Sequence, residues 1–344
     1  MIYKKLLSIV ICFVASVVVI VMIFVSSDYI KYRSNSFVRL LPPHKIIPGA
    51  ILDLKKTGYY FAGFNANDIY LGNFYIPNSI LSIGSNMKDS IQIKPNFSPK
   101  TFLLKGSFSI VNDSSVFVLD GNQPALFTGN LLNGNELKGS RPPFFNKAIH
   151  IEKQSFVLRV VINGRNVLVK YKSDSTGFKF GNTLLKKQVD GVFCTDGNLV
   201  KTPDCKRIFY VYYYRNQFLC INPDLDLLYT GNTIDTNTIA KIKVSTLRSA
   251  NQTTLSSPPL FVNKQTAANN KFLFIVSGLK ADNEKRSVLD GFSIIDLYKV
   301  QDGKYSFSFY LPNFNGKKLT DFRVDENNLY ALYDHYLYKY QLNF

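Results

Sequence analysis

Apolar residues along the chain follow two regimes. Residues 6–25 (LLSIVICFVASVVVIVMIFV) form an unbroken apolar run with no charge and no proline. Beyond Ile46 the apolar positions alternate with polar ones or gather in short runs bounded by Asn, Asp, Gly and Pro, and no amphipathic pattern sustains a long helix. This second regime predicts strands at 69–71, 116–119, 156–162, 167–171, 208–214, 218–221, 272–276, 292–298, 305–310, 329–333 and 336–342. Tight connections separate them, among them Asn163-Gly164, Arg215-Asn216-Gln217, Asp302-Gly303 and Asp334-His335. Gly and Asn supply the positive φ that short hairpin turns demand. Successive hairpins without helical crossovers exclude a doubly wound α/β sheet.

Two further patterns point to a β-propeller. A hydrophobic residue, one further residue and Gly-Asn recur at Tyr70-Leu71-Gly72-Asn73, Phe127-Thr128-Gly129-Asn130 and Tyr229-Thr230-Gly231-Asn232, with a shorter copy at Phe180-Gly181-Asn182. The glycines are about 50 to 57 residues apart, the scale of a four-stranded blade with its loops, and the chain after the apolar run holds close to six such units. The competing explanation is that Gly-Asn is a common turn pair in an Asn-rich chain. The closing segment, 319–342, reads as three strands and two tight turns, one strand short of a blade. A strand from about 46–54 could complete it and remove the open sheet edges. A β-sandwich or two stacked all-β domains are the rival arrangements, and 250–270 is polar enough to be a long excursion.

Roughly 20 apolar residues at 1.5 Å rise cross a hydrocarbon core of about 30 Å. A cleavable signal, with Val25-Ser26-Ser27 as its site, is the rival reading, but its apolar region is usually only about 7 to 15 residues long. The run is therefore read as an uncleaved signal anchor. Lys4 and Lys5 before it and Asp28 after it place the amino terminus in the cytoplasm and the remainder outside, periplasmic in a bacterium with two membranes; Lys31 and Arg33 oppose this weakly. The expected organisation is a cytoplasmic stub (1–5), a transmembrane anchor (6–25), a juxtamembrane tether (26–45) and an all-β body (46–344). Cys12, deep in the run and preceded by Ile11, reads as a small hydrophobe rather than a lipidation site.

The runs from Tyr59 to Asn73, Gln188 to Gly197 and Tyr212 to Gln217 resemble those of uncharacterised, membrane-anchored bacterial proteins with a propeller-like body. The resemblance covers most of the chain after the apolar run. In architecture alone it is similar to six-bladed TolB-like propellers, and it implies no activity and no site residue.

Composition narrows the chemistry. The 344 residues include 46% hydrophobic and only 19% charged residues, which excludes disorder and long coiled coils. The chain has no tryptophan, which disfavours WD repeats and sialidase-like blades. Histidines (His44, His150, His335) and glutamates (Glu136, Glu152, Glu284, Glu326) are few. No phosphate loop, G-x-G-x-x-G, H-E-x-x-H or G-x-S-x-G occurs. Cys194 and Cys205 flank a turn-rich stretch in a compartment where disulfides persist and could staple it, against the simpler reading of buried thiols with Cys220. No metal site is expected, because C-x-x-C spacing is absent. Asp282-Asn283-Glu284 and Asp325-Glu326-Asn327 lack the spacing of a calcium loop and read as solvated turns.

The most loaded segment is 190–235. Asp190, Asp196 and Asp235 are candidate loop carboxylates at a propeller mouth, and Arg215 could grip an anionic group through its bidentate fork. The plainer reading makes Asp190-Gly191 and Asp196-Gly197 turns, Arg215 a hairpin flank and Asp235 a cap of its own backbone. The tyrosines at 210–214 are read as packing residues, with a stacking platform as the functional variant. The net charge is +17, or +15 after Lys4 and Lys5 are set aside. It suits anionic lipid or envelope polymers better than nucleic acid, although the lysines and arginines are spread along the chain. Only Lys31, Arg33, Arg39 and Lys45 form a group close to the anchor. The expected function is a membrane-anchored binding or scaffold module presenting a propeller face to an envelope protein or anionic ligand, with no cofactor. The alternative is a metal-assisted hydrolase or lyase with Asp190, Asp196 and Asp235 gathered at the channel.

Overall fold

The computed structural model describes residues 2–32, 35–43, 45–65, 67–96, 107–131, 135–174, 177–247, 252–285 and 287–344. The side chains of Lys4, Lys5, Asp28, Lys31 and Lys45, and all of Arg33 and His44, lie outside the described residues. The chain opens with helix α1 (Ile2–Tyr32), whose apolar stretch Leu7–Val25 is not covered by the body. Strand β1 (Lys45–Asp53) comes next and belongs to the last blade.

Six four-stranded antiparallel sheets make up a six-bladed β-propeller. The first blade is β2 (Tyr59–Phe64), β3 (Asp68–Asn73), β4 (Ile80–Gly84) and β5 (Ser90–Ile93). The second is β6 (Phe108–Asn112), β7 (Ser115–Asp120), β8 (Ala125–Asn130) and β9 (Lys138–Ser140). The third is β10 (Lys147–Glu152), β11 (Ser155–Ile162), β12 (Arg165–Lys172) and β13 (Phe178–Gly181), and the fourth β14 (Gly197–Lys201), β15 (Ile208–Tyr212), β16 (Gln217–Ile221) and β17 (Leu227–Asn232). A hairpin of β18 (Val244–Leu247) and β19 (Gln252–Leu255) interrupts the series. The fifth blade is β20 (Asn263–Ala268), β21 (Phe272–Ser277), β22 (Phe292–Lys299), preceded by the single turn α2 (Val288–Gly291), and β23 (Tyr305–Pro312). The sixth is β24 (Asp321–Asp325), β25 (Asn328–Tyr333) and β26 (Tyr336–Asn343), completed on its outer side by β1.

The first strands meet at the axis: β2 lies against β6 and β24, and β14 against β10 and β20. Closure comes from β1 and β26, which pair from Lys45↔Asn343 to Asp53↔Tyr336 with an irregularity between Pro48 and Ile51. The proline, which has no N–H to donate, sits on an outermost strand, where that is tolerated. Asn163 and Gly164 both take positive φ in the two-residue turn between β11 and β12, as the sequence requires.

The Gly-Asn recurrence does not mark equivalent places in the blades. Gly72 ends a second strand, Gly129 a third, Gly181 and Gly231 a fourth. What two of these share is a cross-strand aromatic: Tyr60 pairs with Gly72 and Phe218 with Gly231, and a Cβ on either glycine would meet the partner's ring at 2.2 Å. The glycines let a ring lie flat across the neighbouring strand. The excursion expected at 250–270 also shifts, because Asn263–Ala268 is the inner strand of the fifth blade and the excursion is the hairpin before it.

Because strands alternate in direction, the loops between blades and the turns between second and third strands share one end of the barrel of blades. This end is the entry face; the other turns and the carboxyl terminus lie on the far face. Residues 35–41, part of the expected free tether, are packed into the body. The chain descends from the entry face along the outer side of the fifth blade, where Leu40 O accepts from Ser308 N at 2.8 Å, and reaches β1 at the far face. Phe37 joins Val262, Leu279 and Ala281 in a small apolar cluster.

Arg39, expected from the sequence to lie near lipid, is 2% exposed and buried in the body. Its guanidinium donates to Asp296 at 2.7 and 3.1 Å, to Glu284 at 2.6 Å and to Leu279 O at 3.1 Å. Burial alone would lower its pKa, yet the two carboxylates together raise it. Asp282-Asn283-Glu284 is correspondingly the receptor of this strap rather than a solvated turn: Asp282 Oδ1 accepts from Asn35 N at 3.1 Å, and Asn283 exchanges hydrogen bonds with the Arg39 backbone at 3.1 and 2.9 Å.

Replacing Arg39 by Met strands two buried carboxylates, so unfolding of the full chain in urea should show a loss of about 3–5 kcal/mol, and R39M/E284Q/D296N should recover part of it. An R39M chain as stable as the parent would show that the strap does not hold the fold. A second test concerns pH. Burial pushes Tyr60 up to about 12 and Tyr298 well above the ordinary phenol value of 10.0. A raised folded pKa gives stability that is complete below the unfolded value and is lost as pH rises past it. Stability should therefore decline above about pH 10, with the phenolate absorbance of the buried tyrosines appearing only with unfolding.

Candidate functional site

The connection from β13 to β14 carries two of the predicted carboxylates, and it is closed on itself. The Asp190 carboxylate accepts from Val192 N at 3.2 Å, Phe193 N at 3.1 Å and Cys194 N at 2.8 Å. The Cys194 thiol donates to Asp190 O at 2.8 Å and accepts from Gln188 N at 3.3 Å. Arg215, in the turn between β15 and β16, clamps this loop from below. It is 1% exposed, donates both terminal nitrogens to Lys186 O at 3.1 and 3.2 Å, and lies 3.6 Å over the Tyr212 ring. Its fork therefore faces a backbone carbonyl, not an anion. Asp235 is 6% exposed and accepts from Thr233 Oγ1 at 2.6 Å and Asn237 N at 2.9 Å.

The structure does not join Cys194 and Cys205. Both thiols are free, and β14 stands between them in the chain. Five residues of strand span about 16 Å, whereas a disulfide needs Cα atoms within about 7 Å. Cys194 is at the entry face; Cys205, at the far face, receives Lys201 Nζ at 2.9 Å. His150 is packed between Phe117 and Phe156 with Nε2 at 2.7 Å from Lys153 O, which makes it a core residue.

Of the predicted residues, Asp196 alone belongs to a larger constellation. It pairs with Arg159 of β11, whose guanidinium also donates to Asn146 Oδ1 at 2.7 Å and Tyr210 OH at 2.9 Å. Beside it, Lys147, the first residue of the inner strand β10, donates to Tyr213 OH at 3.0 Å, and Tyr213 donates to Asn198 Oδ1 of the inner strand β14 at 2.8 Å. Asn198 in turn bonds Lys264 O on the inner strand β20. Side chains from two blades thus meet, against a backbone carbonyl of a third, at the entry-face end of the axis. Tyr213 and Tyr214 contact Phe261 with ring centroids 5.8 and 5.1 Å apart, whereas Tyr210 and Tyr212 are fully buried core.

Burial lowers the Lys147 pKa, the Arg159 charge lowers it further, and Asp196 opposes both. Burial pushes Tyr213 up to about 12, with Asp196 adding to the rise. The cluster can hold an anionic or hydrogen-bonding group against Lys147 and Tyr213. It contains no Ser, Cys or His to act as nucleophile or base. Among the described residues, no three His, Cys, Asp or Glu side chains come together to hold a metal ion. Asp190 and Asp235 serve their own loops and Asp196 pairs with Arg159, so nothing supports the hydrolase or lyase reading.

No sequence pattern pointed to Lys147, Arg159 or Asn198. They are scattered over three strands of two blades, and a lysine opening a strand is ordinary. Tyr213 had a signal, as the polar-facing member of an aromatic run.

No protein-family model matches the chain, and no curated protein matches it. Among solved structures it is similar to a member of the DUF4221 family from Bacteroides vulgatus, at TM-score 0.55 and 13% identity, over 87% of this chain and 98% of that one. It is also similar to a putative exported protein from Bacteroides fragilis, at TM-score 0.52 and 10% identity, over 91% and 99%. BamB from Moraxella catarrhalis aligns at TM-score 0.43 and 11% identity, over 90% and 99%. At such identities the likeness shows the propeller fold alone.

Lys147 should react with an amine-acylating reagent at lower pH than the exposed lysines do, as read by mass spectrometry of the intact chain's peptides. Asp196→Asn should lower that pH further and Arg159→Met raise it. An unaltered Lys147 profile in both variants would break the link between the charges.

Proposed function

We propose that the protein is a membrane-anchored binding or scaffold module whose propeller lies outside the cytoplasm. α1 serves as the anchor (6–25), with residues 1–5 inside and the body beginning in the segment that follows. The length of the apolar run, Lys4 and Lys5 before it and the exported neighbour support this reading. The observation that carries the binding role is the cluster at the axis between the third and fourth blades, where Lys147 is held half-buried beside Tyr213 and the Arg159–Asp196 pair. A few convergent, half-buried polar groups are the ordinary polar part of a recognition site. The chemistry suits an acidic group on a cell-envelope protein or small ligand. Of the residues singled out in the sequence, Asp196 would hold Arg159 in place beside that group, while Asp190, Arg215 and Asp235 keep the surrounding loops in shape.

A photoreactive amino acid in place of Tyr214 or Phe261, in the full chain expressed in its own membranes, should give a discrete adduct that Lys147→Gln weakens. Absence of any specific adduct from both positions would overturn the binding role. Alkaline carbonate washing tests the anchor separately: the chain should stay in the membrane with its amino-terminal peptide intact, and release would refute the anchor.

A further inference from the structure

We propose that the entry face of the propeller rests on the bilayer in which α1 is anchored, held there by anionic phospholipid headgroups. This rests on the anchor reading above and adds an orientation and a ligand to it.

The first argument is chain length. The apolar stretch ends at Val25 and the chain is already docked at Asn35, whose amide nitrogens bond Asp282 Oδ1 at 3.1 Å and Lys280 O at 3.0 Å. Both partners lie on the entry-face loop between β21 and β22. Even fully extended, the residues between Val25 and Asn35 span only about 35 Å, and the part that continues α1 to Tyr32 rises about 10 Å. The strap then descends the outer wall to β1, so the far face lies a full strand length farther from the anchor.

The second argument is the rim of that face. Large apolar side chains stand exposed on its loops and at the adjoining strand ends around most of the ring: Tyr75 (70%), Phe144 (68%), Ile162, Val189, Ile239 (63%) and Phe292. Such loop-tip residues suit the boundary between headgroups and acyl chains.

The third argument is how charge is sorted. Exposed cations are present on both faces, but the exposed carboxylates are concentrated on one. On the far face Asp89, Asp113, Glu152, Asp204, Asp224 and Asp302 are exposed, and several neutralise neighbours, as in Lys170–Asp224 at 2.7 Å and Lys179–Asp226 at 3.2 Å. On the entry face Arg141, Lys186, Lys187, Lys241, Lys243 and Lys285 are exposed, against Asp282 and Asp290 on one loop. The face that the anchor brings to the membrane is thus the one with surplus positive charge, and it carries exposed apolar side chains at its rim. Headgroup phosphates attract such a face within about a Debye length, some 8 Å at physiological salt.

The absence of tryptophan makes the test direct. Full-length chains with Tyr75→Trp or Phe144→Trp on the entry face, or Ile91→Trp on the far face, are reconstituted in vesicles of phosphatidylglycerol and phosphatidylcholine, with bromine on the acyl chains as quencher. Fluorescence of the two entry-face reporters should be quenched several-fold more than that of the far-face reporter. The difference should shrink in phosphatidylcholine alone and in a chain with Lys186, Lys187, Lys241 and Lys243 changed to Gln. Equal quenching at all three sites, or an effect unchanged in phosphatidylcholine, overturns the proposal. Carbonate washing of the same vesicles separates the two readings: an intact, retained chain without differential quenching defeats the orientation and leaves the anchor standing.

Discussion

The pairing of β1 with β26 is the constraint on which the rest depends. It joins residues 45–53 to residues 336–343, nearly the whole length of the body apart, and converts an open series of hairpin sheets into a ring. It also dictates how the chain arrives. β1 is the outermost strand of its blade and begins at the far face, so the chain before it must reach that face from somewhere. In this protein it does so by descending the outer wall of the fifth blade from the entry face. The Arg39 ion pairs with Asp296 and Glu284 fix that descent. A buried ion pair is weak evidence of net stability but strong evidence of register, because removing one partner leaves an uncompensated charge. Closure and the path of the chain are therefore one arrangement, in which the strap that leads into the closing strand also fixes the face from which the chain enters the body.

Which strands were legible in the sequence follows from where they lie in a blade. Ten of the eleven expected strands are second or third strands, as with β3, β7, β11, β12, β15 and β16. These are covered on both sides by neighbouring blades, so they read as continuous apolar runs; β15 is buried throughout. Inner strands face the axis and outer strands face solvent, and both carry polar residues that hide them. Asn263–Ala268 (NKQTAA) is the inner strand of the fifth blade, yet by composition it reads as loop. The repeat gave a blade length close to the true one although its glycines lie on non-equivalent strands, and only Gly72 and Gly231 share the fit of an aromatic ring over the glycine. The missing strand of the last blade was legible because it rested on a count of strands rather than on a motif.

The candidate site was legible to a smaller extent, for a related reason. Asp-Gly pairs announce turns, and Asp190 does hold a turn. Arg215 and Glu284 look like surface residues in sequence because charge usually is at the surface. Each is buried by a partner from a distant segment, Lys186 O in one case and Arg39 in the other. Nothing local encodes those partners. The axis cluster is still less visible, since Lys147, Arg159 and Asn198 become neighbours only when three inner and middle strands converge.

The same logic applies to net charge. Along the chain, lysines and arginines are evenly spread, as expected of solubilising charge. The fold sends alternate connections to opposite faces, so a difference between odd and even loops, which no sliding window detects, becomes a difference between two surfaces. Here the unevenness lies in the carboxylates: those of the turns after first and third strands collect on the far face and neutralise it. The entry face keeps a surplus of cations without being richer in them. A basic protein can in this way carry an electrostatic face built from the placement of its acids rather than from a cluster of bases.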